Sequence, residues 1–407
     1  MTFVPTREHA RAQLAAFVPK AGRHYAAERN VDAGRGEHGA VSTLSPYVRT
    51  RLITEAEIVA AVLEQHTSRG AEKFIQEVCW RTYWKGWLEQ RPAIWRRYTR
   101  EVRRLTANPA AEHEAPLAAV RNAATGIDCF DAWTRELIET GYLHNHARMW
   151  YASIWLFTLR LPWHSGADFF LEHLLDGDAA SNTLSWRWVG GLQTRGKTYL
   201  ATPANITKNT SGRFGRITGL ADDAPPLPWD DPPTPNSDFR VRLPDRSLRT
   251  GLIVTDDDLS PWSSVSGIDS IAAAAIVDTR TWRSPRGVSA LVGEFIDGAL
   301  ADAAAAVRQR LRVEPARFAG AELIDACVEW ATTADLQQVV VPYLPTGPSA
   351  DALAALPQRL SDAGIRYANP LRAWDEAAWP HATKGFFPFK KHIPDLLPLA
   401  QSVADPI

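Results

Sequence analysis

Between residue 54 and about residue 175 the apolar positions recur at helical spacing. The segment ITEAEIVAAVLEQH opens on Thr54 and carries Glu57 three residues on, a capping box ahead of a 3.6-period apolar face. GAEKFIQEVCWRTYWKGWLEQ gathers its aromatics on one side, and FDAWTRELIETG closes on Gly141. MWYASIWLFTLRL is apolar nearly all round, which predicts a fully buried helix. The pattern changes at residues 222–247, DDAPPLPWDDPPTPNSDFRVRLPDRS, where proline and acid crowd together and predict a semi-rigid extended linker. Beyond it, TGLIVTDDD, AAAAIVDTRTW, DLQQVVVPYLP and GIRYANP read as strands, with a weaker one in RVEPARFAG. FIDGALADAAAAVRQRL and ADALAALPQRLSDAG are helices between them. Strands alternating with helices predict a parallel, Rossmann-like five-stranded sheet with both faces covered. The chain therefore divides into a helical domain, 1–221, the linker, 222–247, and an α/β domain, 248–407.

Composition adds limits. The chain has 407 residues, and no apolar run is long enough to span a membrane. Its N-terminus lacks the pattern of a secretory signal. Cys79, Cys129 and Cys327 stand far apart and form no C-x-x-C, which argues against a zinc or iron–sulfur site and fits a reduced, cytoplasmic setting. The net charge of -1 hides an asymmetry: residues 1–221 hold 28 Lys/Arg against 21 Asp/Glu, and the remainder 17 against 25. Only the first part suits a polyanion. No glycine-rich nucleotide fingerprint occurs in the α/β part.

The densest chemistry lies at 141–188. His144, Asn145, Arg148, Asp176, Asp178, Asn182, Trp186 and Trp188 are set into hydrophobic, helix-patterned sequence. Burying so many polar groups requires partners, and a large polar aromatic ligand would supply them. HN-x-x-RM, DGD-x-A-x-N and W-x-W in this order resemble the flavin-binding core of the photolyase/cryptochrome family. HYAAERN (Tyr25, Arg29), VSTLSPY (41–47) and QEVCWRTYW (76–84) are further matches in the right order. The α/β part resembles that family's other domain: LIVTDDDLSPW looks like its opening strand, and WPHATKGFFPFKKHIPDLL like the segment that leaves it. That domain normally comes first, so the resemblance implies a circular permutation.

The resemblance implies non-covalent FAD. Tyr25, Ser42, Thr43, Leu44, Ser45, Trp80, Arg81, His144, Asn145, Arg148, Asp176, Asp178 and Asn182 would line its site. Ser42, Thr43, Ser45 and Arg81 would hold the pyrophosphate. Arg148 and Asp176 would pair beside the flavin ring, Asp178 would accept a ring N–H, and Asn182 would face the ring's N5. Trp186 and Trp163 match the first two tryptophans of a photoreduction chain. The usual third position falls near Pro109, and Trp95, Trp150 and Trp155 are the available replacements. Glu77, Trp80, Asn145, Met149 and Trp188 match a pocket for flipped-out pyrimidines. Arg29, Arg195, Lys197, Lys208 and Arg213 would touch nucleic-acid phosphates. His146 and Thr43 depart from the family pattern. The glutamate of a folate antenna is not evident in PYLPTGPSAD, while a deazaflavin-type antenna stays open. The implied activity is light-driven repair of pyrimidine dimers in damaged DNA, a lyase reaction. The alternatives are a blue-light photoreceptor signalling to a protein partner, and a flavoprotein that has lost its photochemistry.

Overall fold

A computed structural model describes residues 2–266, 268 and 271–402. Helices occupy the first part of the chain. Glu55–Gln65 starts at the expected capping box, with the Thr54 hydroxyl accepting from Glu57 N and the Glu57 carboxylate accepting from Thr54 N at 2.8 Å. Asp128–Thr140 ends on Gly141 in the left-handed region, φ 67°. The buried MWYASIWLFTLRL segment is not one regular helix. It runs as Asn145–Ser153 and then widens into a π turn, Ile154–Thr158. Such widenings often mark functional stretches of a helix.

After residue 209 no helix or strand occurs until Thr250 among the described residues. The 222–247 stretch lies extended and is fastened at intervals: Leu227 N donates to Gly190 O, Asn236 N to Gln90 O and Asn369 N to Arg242 O. The five expected strands follow as β1 (Thr250–Thr255), β2 (Ile271–Val277), β3 (Ala316–Phe318), β4 (Gln338–Val340) and β5 (Arg366–Ala368). They form one parallel sheet in the order β3-β2-β1-β4-β5.

Strand periodicity sends alternate residues to opposite faces. Leu252, Val254, Ala274, Ile276, Val340 and Ala368 join the same core as the Ala290–Leu311 helix and the helical part of the chain. Ile253, Ala275, Val277 and Val339 face the Leu323–Thr333 and Leu356–Asp362 helices. The chain then returns. Ala373–Ala378 and Ile393–Ser402 pack against Glu72–Glu89 and Glu55–Gln65, respectively. Gly86 makes this possible, since a Cβ there would stand 2.7 Å from the Trp379 ring. Gln90 Nε2 donates to Trp379 O at 2.6 Å, and Trp374 Nε1 to Thr82 Oγ1 at 3.0 Å.

A buried ionic network ties sheet to helices. Arg49 Nη1 meets Asp256 at 3.0 Å and Arg49 Nη2 meets Asp257 at 3.1 Å. Arg51 bridges Asp258 at 3.2 Å and Asp375 at 2.8 Å, and Arg372 holds Asp258 from the other side. Burial alone would raise the Asp258 carboxyl, but Arg372 and Arg51 overcome it and hold it below its ordinary range. Its contribution to stability is therefore present above the ordinary carboxylate pKa and lost as pH falls through the lowered value. Removing one member of a buried pair strands a charge. Arg51→Ala is expected to lower the unfolding free energy by about 3–5 kcal/mol in a urea titration. A loss of a few tenths would show that the network is solvent-screened.

Candidate cofactor and substrate site

The Asn145–Ser153 helix presents Arg148 to the DGD turn that follows Trp163–His173. Arg148 Nη1 meets Asp176 Oδ2 at 2.9 Å, while its Nε is fixed on Leu143 O at 2.9 Å. Burial would raise the Asp176 carboxyl; Arg148, Arg81 and the Ser45 hydroxyl together bring it below its ordinary range. Asp178 caps the Ala179–Val189 helix by accepting from Ser181 N at 2.7 Å. Its other oxygen meets Lys85 Nζ at 2.9 Å and lies 3.8 Å from Arg81 Nη1. Burial opposes ionisation of Asp178, but Lys85 and Arg81 outweigh it and depress the pKa strongly. Lys85 was absent from the sequence expectation, although its spacing of four from Arg81 already put both cations on one helix face.

The remaining expected wall is assembled from neighbouring elements. Thr43 takes φ 52°, and Gln13 Nε2 donates to Ser42 O at 2.8 Å and to Thr43 Oγ1 at 2.6 Å. Leu44 is buried, and Ser45 starts the Ser45–Arg49 helix. Tyr25 is buried edge-on against Phe17 and Phe74. His144 caps Asn145–Ser153 through Nδ1, and burial depresses its pKa to about 4, so the ring is neutral at pH 7. Asn182 Nδ2 donates to Ala167 O at 2.8 Å. Arg81 Nη1, Asp176 Oδ1, His144 Nε2 and Trp186 Nε1 are buried without a hydrogen-bond partner among the described residues. Unsatisfied donors beside an unsatisfied carboxylate oxygen are costly unless a polar ligand completes them. This donor set fits a dinucleotide, with Arg81 available to phosphate; Asp178, expected to accept the ring N–H, is engaged by Ser181 N and Lys85, and the open carboxylate oxygen is on Asp176 instead.

The expected substrate contacts are engaged within the chain. Glu77 is ion-paired with Arg29, though burial still raises its carboxyl. Trp80 stacks on Phe386, with ring centroids 3.7 Å apart and planes 10° apart. Trp188 packs on Tyr199, Met149 is half-buried and Asn145 is exposed. His146 bonds Asn30 O and Tyr199 Oη, at 3.0 and 3.1 Å. Arg195, Lys197 and Lys208 are exposed, whereas Arg213 is paired with Asp32 at 2.5 Å. Phe386 lies 306 residues beyond Trp80, and nothing in the sequence pattern pairs them.

Trp186 lies against Gly166, where a Cβ would come within 2.3 Å of the indole. Trp163 is one helical turn before Gly166. Trp155 meets Trp186 edge-on at 5.8 Å, Trp95 connects to Trp163 through Tyr98, and Trp150 packs against Trp133.

Arg148, Asp176, Asp178 and Arg81 thus converge on one wall of the helical body. Residues 74–212 match the FAD binding domain of DNA photolyase. This part of the chain therefore resembles a photolyase-type FAD-binding domain, and FAD is the cofactor that such a domain binds. A deoxyribodipyrimidine photo-lyase of Streptomyces griseus is 36% identical over 156 residues, 38% of this chain and 33% of its own. One from Thermus thermophilus is 37% identical over 194 residues, 46% of this chain and 43% of its own. The matches thus span less than half the length of these relatives. A bacterial class III photolyase structure from Agrobacterium tumefaciens aligns with 51% of this chain and 43% of its own, at 25% identity and TM-score 0.43. No helix among the described residues is long and apolar enough to cross a membrane.

Arg148→Ala is expected to lose most bound flavin, because Asp176 is then left buried without its principal cation. The measure is flavin absorbance per mole of purified protein. Undiminished, equally tight FAD in this variant would remove the pair from the site.

Proposed function

We propose that the chain is a flavoprotein that uses blue light to split pyrimidine dimers in DNA. The observation that carries this reading is the Glu72–Glu89 helix. It bears Glu77 and Trp80, the expected lesion contacts, within a turn or two of Arg81 and Lys85, which face the flavin-side carboxylate Asp178. Bound FAD supplies the light absorption and the transferred electron. The protein's part is to extrude the lesion, stack it on Trp80, and bond its carbonyls through Glu77 and Asn145. Exposed Arg195, Lys197 and Lys208 would take the backbone phosphates. Arg29 and Arg213 join them only by giving up Glu77 and Asp32.

The second reading, a light sensor with a protein partner, is favoured by one contact. Phe386 already covers a face of Trp80 and must leave before a base can stack there. The two readings separate in one experiment. Reduced protein is illuminated with a thymine-dimer oligonucleotide, and recovery of thymine absorbance is followed. Recovery is expected, and Trp80→Ala should weaken dimer-DNA binding by about ten- to a hundredfold, from stacking of about 1–3 kcal/mol per base. Equal affinity of the wild type for intact and dimer-containing DNA would sink repair and leave the sensor.

Trp186 and Trp163 are proposed to carry electrons to the flavin. Trp186→Phe should then largely abolish light-driven flavin reduction in the presence of a thiol, read from the flavin spectrum. Wild-type rates would mean that electrons enter elsewhere.

The division into 1–221, 222–247 and 248–407, and its origin by circular permutation, belongs to the same proposal. The parallel sheet following the helices supports it. The helices from Ala373 onward pack on the helical part, so the α/β unit proper would close near residue 372.

A further inference from the structure

The Trp163–His173 helix brings three features together. Trp163 stands at its start, Gly166 admits Trp186, and Asp168 lies at the next turn. Trp163 also meets Tyr98, with ring centroids 5.5 Å apart and planes 26° apart. The Tyr98 side chain is buried, and its hydroxyl has no hydrogen-bond partner among the described residues. Tyr98 and Asp168 both line a partly open cavity of about 90 Å³, walled also by Arg103 and the Thr281–Pro285 segment. Its lining is mostly apolar, but Arg103, Asp168, Arg283 and Ser284 put polar groups on it, and its volume leaves room for a water between the phenol and the carboxylate.

We infer that Tyr98 is the terminal electron donor of the tryptophan route, reducing oxidised Trp163 and passing its phenolic proton to Asp168. This rests on the proposed role of Trp186 and Trp163. The step balances. The Trp163 indole radical cation, Tyr98 phenol and Asp168 carboxylate become neutral Trp163, a neutral tyrosyl radical and the Asp168 acid. The oxidant is the indole cation left when light drives an electron toward the flavin.

Three facts favour this sink. Burial, with Asp168 nearby, keeps the resting phenol protonated, so a proton is there to leave. Burial raises Asp168 to about 6 against the lowering effect of Ser284, which makes it a better base than an ordinary carboxylate while leaving it ionised at pH 7. Glu172 reinforces that rise, and Arg286 and Arg121 oppose it; Arg103 and Arg283 complete the charged groups around the cavity. Trp155, which meets Trp186 edge-on, donates its indole N–H to the Pro162 carbonyl, which is too weak a base to take the proton. Trp95 is the competing end point, because it lies 5.3 Å beyond Tyr98 and bonds the Asp351 carboxylate.

The test is electron paramagnetic resonance of flavin-loaded protein after illumination. A tyrosyl radical is expected, absent in Tyr98→Phe, a variant that removes only an unpartnered hydroxyl. Its yield should fall as pH drops through about 6, and Asp168→Asn should lower the yield and remove that dependence. An unchanged tyrosyl signal in Tyr98→Phe, or a radical that stays on tryptophan and vanishes in Trp95→Phe, overturns the inference. A second arm oxidises the flavin-free full chain with azidyl radicals. Tryptophan-to-tyrosine radical conversion that is lost in Tyr98→Phe supports Tyr98 even if photoreduction through Trp186 fails. Conversion unaffected by the substitution overturns Tyr98 whatever the flavin does.

Discussion

Three consecutive carboxylates at the end of β1 set the arrangement of the molecule. Asp256, Asp257 and Asp258 would repel one another and resist burial. They are tolerated because Arg49, Arg51 and Arg372 converge on them. Two of those arginines come from the turn that begins with the expected phosphate loop. The contact that seats the sheet therefore also fixes Ser45, one short helix away from Arg49. Ionic contacts of this kind contribute modest net stability but penalise every other docking geometry, because each alternative leaves a buried charge alone.

The same seating brings the sheet's topological switch point to the DGD turn. The strand order reverses between β1 and β4, and open parallel sheets commonly bind ligands at such a point. Here the crevice is lined by Asp257, Thr346 and Gly347 on one side and Arg49, Lys85 and Asp178 on the other, and only about 10 Å³ is left. Side chains of the helical half occupy the place where a nucleotide would sit in a free-standing domain of this kind. That agrees with the lack of a glycine fingerprint after β1.

Much of this was readable in the chain because it is local. The capping box at Thr54, the left-handed Gly141, the five strands and the Arg148–Asp176 pair each depend on short-range pattern or on a motif that travels with its partner. What escaped the sequence depends on distant residues meeting. Phe386 on Trp80, Glu77 with Arg29 and Tyr98 on Trp163 leave no periodic trace. The π turn at Ile154–Thr158 was missed for another reason, since hydrophobic pattern reports burial and not the hydrogen-bond register of a helix. Lys85 is the intermediate case: its spacing placed it on the right face, but only Asp178 opposite reveals why a lysine is buried there.

Gly86 and the Trp379 ring that presses on it carry a consequence for synthesis. The Glu72–Glu89 helix leaves the ribosome well before Trp374, Trp379 and Phe386, which cover it and are made about three hundred residues later. Until then a broad aromatic surface has no cover, and such surfaces recruit chaperones or aggregate. Assembly of the helical half must therefore wait until residues 374–386 have been made, however early its own helices form.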